Sequence, residues 1–246
     1  MRKLTGKNLN DLYESLKSVG IPTDNKSNNL YIYLIDEILP LYNNHKYHFL
    51  DAVHLIKKIR LAIDIYRSIP PGRYAINIKY LILLIALEDI AMVIDPEINN
   101  RGNKYNKSVE VIKERYTKDI IEILESWEIE WLYKCVVYPK NTVLPLTKYN
   151  NTWEIRYSNF ANDIRRISLL PYDYAIQNTF HDICMKNPKR SVQYNIFKTW
   201  SDLKNNFMYP IMIPEIKKDP TFSDMITELK LLLKETYESK DLSMYI

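Results

Sequence analysis

The chain has 246 residues, of which 46% are hydrophobic and 26% are charged, a balance that is typical of globular proteins and excludes a disordered polymer. Its formal net charge of +4 is too small to indicate nucleic-acid binding by itself. The two cysteines, Cys135 and Cys184, exclude a disulfide framework and a four-cysteine zinc site.

Helical periodicity dominates the first half of the chain. Short helices are predicted at 8–19 and 29–39, and a stripe of apolar residues predicts an amphipathic helix over 47–68. Residues 74–94 are apolar nearly all round, which is typical of the central helix of a bundle. Apolar residues at intervals of three and four predict one helix over 105–136, about 45 Å long.

The second half contains more prolines and a pattern of a different kind. From Val143 to Tyr157 apolar and polar residues alternate at Trp153, Ile155 and Tyr157, and Asn150 begins a turn signal, so we predict a β-hairpin. Further helices are predicted near 159–169, 173–186, 191–207 and 222–237.

The segment Tyr209–Pro214 is apolar but is bounded by prolines that prevent a helix interior. We interpret it as an extended arm that lies in a groove of a neighbouring molecule, together with an apolar C-terminal tip. The predicted interface residues are Tyr209, Ile211, Met212, Ile213, Leu242, Met244, Tyr245 and Ile246.

These patterns predict a mainly α fold: a multi-helix bundle with one small β-hairpin and an extended C-terminal arm. The expected organisation is a helical body over 1–138, a hairpin insertion over 139–157, a second helical group over 158–208, and the arm, helix and tail over 209–246.

Two histidine groups are candidates for metal binding. His48 and His54 lie about 240° apart on a helix and therefore do not converge, although His45 and Asp51 are close in sequence. His181 and Cys184 are one helical turn apart, but a closed zinc site needs two further ligands. No metal, cofactor or catalytic residue is predicted, and a core cysteine beside a half-buried histidine is the preferred interpretation.

Acidic residues interrupt the apolar helix at Glu88 and Asp89. The preferred interpretation is structural: the helix reaches the surface for one turn, or the acids form an ion pair with Arg165 or Arg166. Paired carboxylates also serve general acid–base catalysis, so an enzyme using this pair is one alternative. The acidic series Asp119, Glu122, Glu125, Glu128 and Glu130 is interpreted as a solvated or partner-facing surface.

Basic residues gather at Lys186, Lys189, Arg190 and Lys198, with Tyr194 nearby. An ordinary solvated face is the preferred interpretation, but such groups also bind phosphates and bases, so these four residues are candidate nucleic-acid contacts. A nucleic-acid-associated helical protein is therefore the main alternative to a subunit of an assembly, although no helix-turn-helix or zinc-finger signature accompanies them. No GxGxxG or GxxxxGK[ST] loop occurs either.

The helical body, the predicted hairpin and the C-terminal arm of Tyr209–Pro214 resemble the architecture of head-to-tail adaptor or ring proteins of tailed bacteriophages. The abundance of Asn, Ile, Lys and Tyr resembles the residue usage of crAss-like phages. The resemblance implies a non-catalytic structural subunit in a multi-copy homo-oligomeric ring at the portal–tail junction. Portal or tail proteins and non-specific DNA are the implied partners, with no membrane contact. The implied location is the virion, or otherwise the cytoplasm.

Overall fold

The structure is a computed structural model that describes residues 3–23, 30–43, 45–96, 104–137, 152–207 and 211–239. Within these ranges the fold is helical, and they contain no strand. The α-helices are α1 Gly6–Lys17, α2 Leu30–Tyr33, α3 Leu39–Tyr42, α4 Ala52–Ser68, α5 Ile78–Leu87, α6 Ile90–Ile94, α7 Lys104–Val111, α8 Thr117–Ile120, α9 Ser126–Val137, α10 Trp153–Ile167, α11 Tyr172–Lys186, α12 Val192–Phe207, α13 Pro214–Lys218 and α14 Pro220–Ser239. The mainly α prediction is thereby confirmed.

Polar side chains fix the start of several helices. Thr5 accepts a hydrogen bond from the backbone N–H of Asn8 at the start of α1, and Asp51 accepts one from His54 at the start of α4. Asn77 caps α5 in the same way. Each cap satisfies a backbone donor that has no partner within its own helix, and a cap of this kind stabilises a helix by about 1 kcal/mol.

The centre of the molecule is α5, where every residue except Lys79 is buried. This result confirms the prediction of a central apolar helix, although the helix ends at Leu87 and α6 begins after Asp89. One contiguous hydrophobic cluster runs from Leu12 in α1 to Ile216 in α13. The residues before and after the undescribed 138–151 segment therefore share a core.

The single long helix predicted over 105–136 is wrong. The chain forms α7, a π-helical turn and α8, and then leaves helical geometry before α9 begins. Glu128 stabilises this break, because its carboxylate accepts hydrogen bonds from the backbone N–H of Glu125 and from the side chain of Asn77, both at 2.9 Å. Glu128 is consequently buried and does not belong to a solvated acidic surface.

The predicted β-hairpin is also wrong where the structure describes it. Residues Trp153 to Tyr157 form the first turns of α10, which Thr152 caps by accepting a hydrogen bond from Ile155. The aromatic rings of Trp153 and Tyr157 lie on one helix face with centroids 4.7 Å apart. The remainder of the predicted hairpin, residues 143–151, lies outside the described residues.

The described part of the predicted arm packs on its own chain. Ile211 and Ile213 are buried in the core, and Met212 is half-buried. The backbone N–H groups of Met212 and Ile213 each donate to the Oδ2 atom of Asp163 in α10 at 2.7 Å. Ile211 and Ile213 are therefore not available to a neighbouring subunit. Pro214 begins α13, while Tyr209, Leu242, Met244, Tyr245 and Ile246 lie outside the described residues.

Candidate functional site

A charged cavity of about 270 Å³ lies where α4, α6, α7, α10, α11 and α12 approach one another. Its wall includes the aromatic rings of Tyr47 and Phe49. The basic side chains in the wall are Lys58, Lys104, Arg165 and Lys186, and the acidic ones are Asp89, Asp182 and Asp202. A concave site with this many charges favours a polar, charged ligand over an apolar one.

Buried ion pairs form one wall of the cavity. The Nζ atom of Lys58 lies 3.7 Å from Glu88 Oε1 and 3.7 Å from Asp89 Oδ2, and all three side chains are buried. Lys58 on α4, which the sequence analysis did not identify, is thus a cationic partner of both carboxylates. Because both acids face a buried ammonium group, the geometry favours a structural role for them over acid–base catalysis.

Arg165 lies beside the same carboxylates. Its guanidinium donates to Tyr105 Oη at 3.1 Å and to Asn162 Oδ1 at 3.2 Å. Desolvation acts to lower the pKa of Arg165, but the neighbouring Tyr105, Glu88 and Asp89 outweigh it and raise the pKa. Arg165 therefore stays charged and adds positive potential to the cavity.

His54 and Ser168 form a buried pair that resembles an activated nucleophile without being one. His54 Nε2 lies 3.3 Å from Ser168 Oγ, and the Ser168 hydroxyl donates to the carbonyl oxygen of Arg165 at 2.7 Å. The contact with the carbonyl oxygen is the shorter of the two, so the geometry favours a Ser168 hydroxyl that donates there and an imidazole that donates through Nε2 to Ser168. His54 Nδ1 then accepts from Tyr174 Oη at 3.2 Å, so the group is a structural network.

The structure brings together two histidines that the sequence analysis treated separately. The rings of His48 and His181 stack with centroids 3.9 Å apart, and His181 Nδ1 lies 3.1 Å from Asp182 Oδ1. Cys184 is not part of this group, because its Sγ atom accepts from Asn195 at 3.5 Å. His45 and His54 also remain outside it.

The predicted nucleic-acid contacts lie where α11 connects to α12. Lys186, Lys189 and Arg190 are exposed around this connection. Tyr194 and Phe197, on the first turns of α12, are 39% and 63% exposed. The Arg190 guanidinium stacks 5.2 Å from the centroid of the Tyr194 ring. Together with Lys198, these residues form what we call the basic–aromatic face: Lys186, Lys189, Arg190, Tyr194, Phe197 and Lys198.

Two lysines of this face interact with the cavity. Lys198 Nζ forms an ion pair with Asp202 at 2.8 Å, and Lys186 lies over the Tyr47 ring at 5.0 Å. Desolvation is the largest cause of the lowered pKa of Lys186; the carboxylates of Asp182 and Asp202 oppose it, and the positive charges of Lys104 and Lys198 add to it. The face is therefore continuous with the cationic side of the cavity.

In comparisons with known proteins, no protein-family model, no curated protein and no solved structure matches the chain. Among the described residues, no helix combines the length and apolar character that crossing a membrane requires.

Proposed function

We propose that the protein binds single-stranded nucleic acid through the basic–aromatic face. The observation that supports the proposal is the combination of cationic groups with two large aromatic side chains, Tyr194 and Phe197, on one exposed surface. Phosphates attract the cations, and unpaired bases stack on aromatic rings, a contact worth about 1–3 kcal/mol per base. Exposed aromatic rings of this size are otherwise unfavourable in water.

Single strands suit this surface better than duplexes do. The bases of a duplex are stacked on one another and present only their edges, whereas Tyr194 and Phe197 offer ring faces and edges to unstacked bases. Arg190 adds a planar cation beside Tyr194. The expected binding is tolerant of sequence, because it relies on phosphate charge and stacking and not on hydrogen bonds to base edges.

The cavity extends this surface inward. Lys104 and Arg165 add positive charge behind Lys186, while Lys198 is largely neutralised by Asp202. A phosphate group bound near Lys186 would face this positive charge, part of which Asp182 and Asp202 offset. We infer that this lysine, with Lys189 and Arg190, supplies most of the electrostatic contribution to binding.

Removing two cations from the face is expected to weaken binding by about tenfold at low salt. The variant neutralises fewer phosphates, so its binding releases fewer counterions. The variant is Lys189→Gln with Arg190→Gln, and binding is read from fluorescence anisotropy of a labelled single-stranded oligonucleotide.

Tyr194→Ala with Phe197→Ala is expected to weaken binding at least as much, since two stacking contacts are lost.

The matched control removes the same charge elsewhere. Lys7 and Lys17 are exposed on α1, which packs mainly on α4. Lys7→Gln with Lys17→Gln should leave the affinity within about twofold of the wild type. Equal losses in the control and in the Lys189 and Arg190 variant would show that only overall charge matters, and would contradict the proposal.

A second candidate function is a subunit of a multi-copy assembly, such as the phage adaptor ring that the sequence analysis predicts. It is favoured by Met185 and Val192, which are apolar and 45% and 59% exposed beside the same face. Ile211 and Ile213 no longer support this candidate, because both side chains are buried in the core of their own chain. This candidate predicts concentration-dependent self-association in light scattering, and a monomer at all concentrations would contradict the ring.

A further inference from the structure

We propose that His48, His181 and Asp182 form a binding site for a divalent transition-metal ion, with Zn²⁺ the best chemical match. Their potential ligand atoms all lie within 4.8 Å of one another. His48 belongs to the 3₁₀ turn His48–Leu50, and the other two residues belong to α11. The site goes beyond nucleic-acid binding and does not depend on it.

The donor set selects the class of ion. Two imidazoles and one carboxylate suit Zn²⁺, Co²⁺ or Ni²⁺, whereas Mg²⁺ and Ca²⁺ prefer sites made of oxygen atoms. Three protein ligands leave at least one coordination position for water or another ligand, as in open zinc sites. Asp182 also lines the charged cavity, so the proposed site adjoins the cavity wall.

One ligand separation already fits a bound ion, and the second imidazole requires a ring rotation. Two ligands that are each about 2.1 Å from a tetrahedral or octahedral ion lie roughly 3–3.4 Å apart, and His181 Nδ1 lies 3.1 Å from Asp182 Oδ1. The rings of His48 and His181 are stacked with an inclination of 22°, so their in-plane nitrogen lone pairs lie in two nearly parallel planes. Rotation of one ring about its side-chain torsions lets both nitrogens converge on the ion.

The surroundings hold the carboxylate in place. Asp182 is buried, and it accepts hydrogen bonds from the backbone N–H groups of His48 at 2.8 Å and Phe49 at 3.3 Å. These donors fix the orientation of the group, as the supporting contacts of known metal sites do. The carboxylate thereby couples α11 to the His48–Leu50 turn before any ion binds.

The test is a titration of the full chain, after treatment with a chelator, with Co²⁺ in the absence of nucleic acid. Visible absorption reports Co²⁺ coordination, and calorimetry with Zn²⁺ reports affinity and stoichiometry. We expect one equivalent to bind, and we expect His48→Gln and His181→Gln to weaken binding by about tenfold or more. Zn²⁺ should also raise the melting temperature of the wild type, because it binds only the folded chain tightly.

The control is His45→Gln, since the chain has four histidines and His45 lies outside the cluster. This variant should bind like the wild type. If His48→Gln proves unstable, His181→Gln decides the question, because the His181 side chain is 37% exposed and its loss disturbs little packing. Absence of saturable binding to the wild type, or equal binding by wild type and His181→Gln, overturns the site whatever the nucleic-acid result.

Discussion

Replacing Asp163 with Leu is expected to lower the free energy of unfolding by about 2–6 kcal/mol, because two backbone N–H groups lose their acceptor and each such loss costs about 1–3 kcal/mol. Both donors, from Met212 and Ile213, bond to the same carboxylate oxygen at 2.7 Å. Asp163 is fully buried, so water cannot take over the acceptor role. Urea denaturation followed by circular dichroism measures the change.

Asp163→Asn is the matched control. Its amide oxygen can occupy the position of Oδ2 and accept both hydrogen bonds, so we expect it to keep most of the stability that Asp163→Leu loses. Equal destabilisation by Asn and Leu would mean that the negative charge, and not the acceptor, holds the 211–213 segment against α10.

Comparison of the wild type with Asp163→Asn also reports the ionisation of Asp163. Burial raises the pKa of Asp163 to about 7 and outweighs the opposing hydrogen bonds from Ile213 and Met212. The folded state therefore holds a proton that the unfolded state releases above its ordinary pKa of 3.8. The contribution of this group to stability falls between pH 4 and 7, by at most about 1.4 kcal/mol per pH unit, and is constant above.

The stability difference between the wild type and Asp163→Asn isolates this effect, since the other titratable groups cancel. We expect the free energy of unfolding of the wild type to fall relative to that of Asp163→Asn as the pH rises from about 4 to about 7. A difference that is constant over this range, or that shifts in favour of the wild type, would contradict the raised pKa.

Replacing Lys58 with Met is expected to destabilise the fold by about 3–5 kcal/mol, because it removes a buried ammonium group that faces two buried carboxylates. Glu88 and Asp89 each lie 3.7 Å from Lys58 Nζ. Met retains most of the volume of the lysine side chain, so the loss reports charge more than packing. Denaturant unfolding provides the measurement.

Neutralising the carboxylates tests the cause. The triple variant Lys58→Met, Glu88→Gln and Asp89→Asn should recover much of the lost stability, since it no longer buries two negative charges without the lysine. Lys79→Met, an exposed change on α5, should alter stability by less than about 0.5 kcal/mol. If the triple variant were no more stable than Lys58→Met, electrostatics would not explain the loss.

The helical character of the fold could be predicted from the sequence, because stripes such as that of 47–68 directly encode a buried face. The hairpin was mispredicted because Trp153, Ile155 and Tyr157 alternate over a short window. A longer window contains the helical signal: Trp153, Tyr157, Phe160 and Ile164 recur at intervals of four, three and four. Short apolar patterns satisfy both periodicities, and only their continuation separates them.

The sequence could predict that Ile211 and Ile213 are buried. It could not predict which surface covers them. An apolar, proline-bounded segment indicates that something covers it, and a sequence does not say whether the cover is a neighbouring molecule or its own chain. The acceptor, Asp163, lies 49 residues from Met212. A buried carboxylate at that distance in the chain carries no local signal.

Of the two candidate sites, one could be predicted from the sequence and the other could not. The basic residues Lys186, Lys189 and Arg190 could be identified because they are neighbours in sequence and remain neighbours on the surface. The approach of His48 to His181 could not, since a contact across 133 positions depends on how α11 packs against the turn before α4. A site made of residues that are close in sequence can be predicted from the sequence, whereas a site made of distant residues that packing brings together cannot.

The most direct test of nucleic-acid binding is the salt dependence of wild-type affinity for a single-stranded oligonucleotide. With three to four phosphates neutralised by the basic–aromatic face, the logarithm of the association constant should fall linearly with the logarithm of salt concentration, with a slope of about −2 to −3. The Lys189→Gln and Arg190→Gln variant should flatten that slope by about 1.4. No measurable binding at about 50 mM salt, or a wild-type slope near zero, would contradict the proposed function.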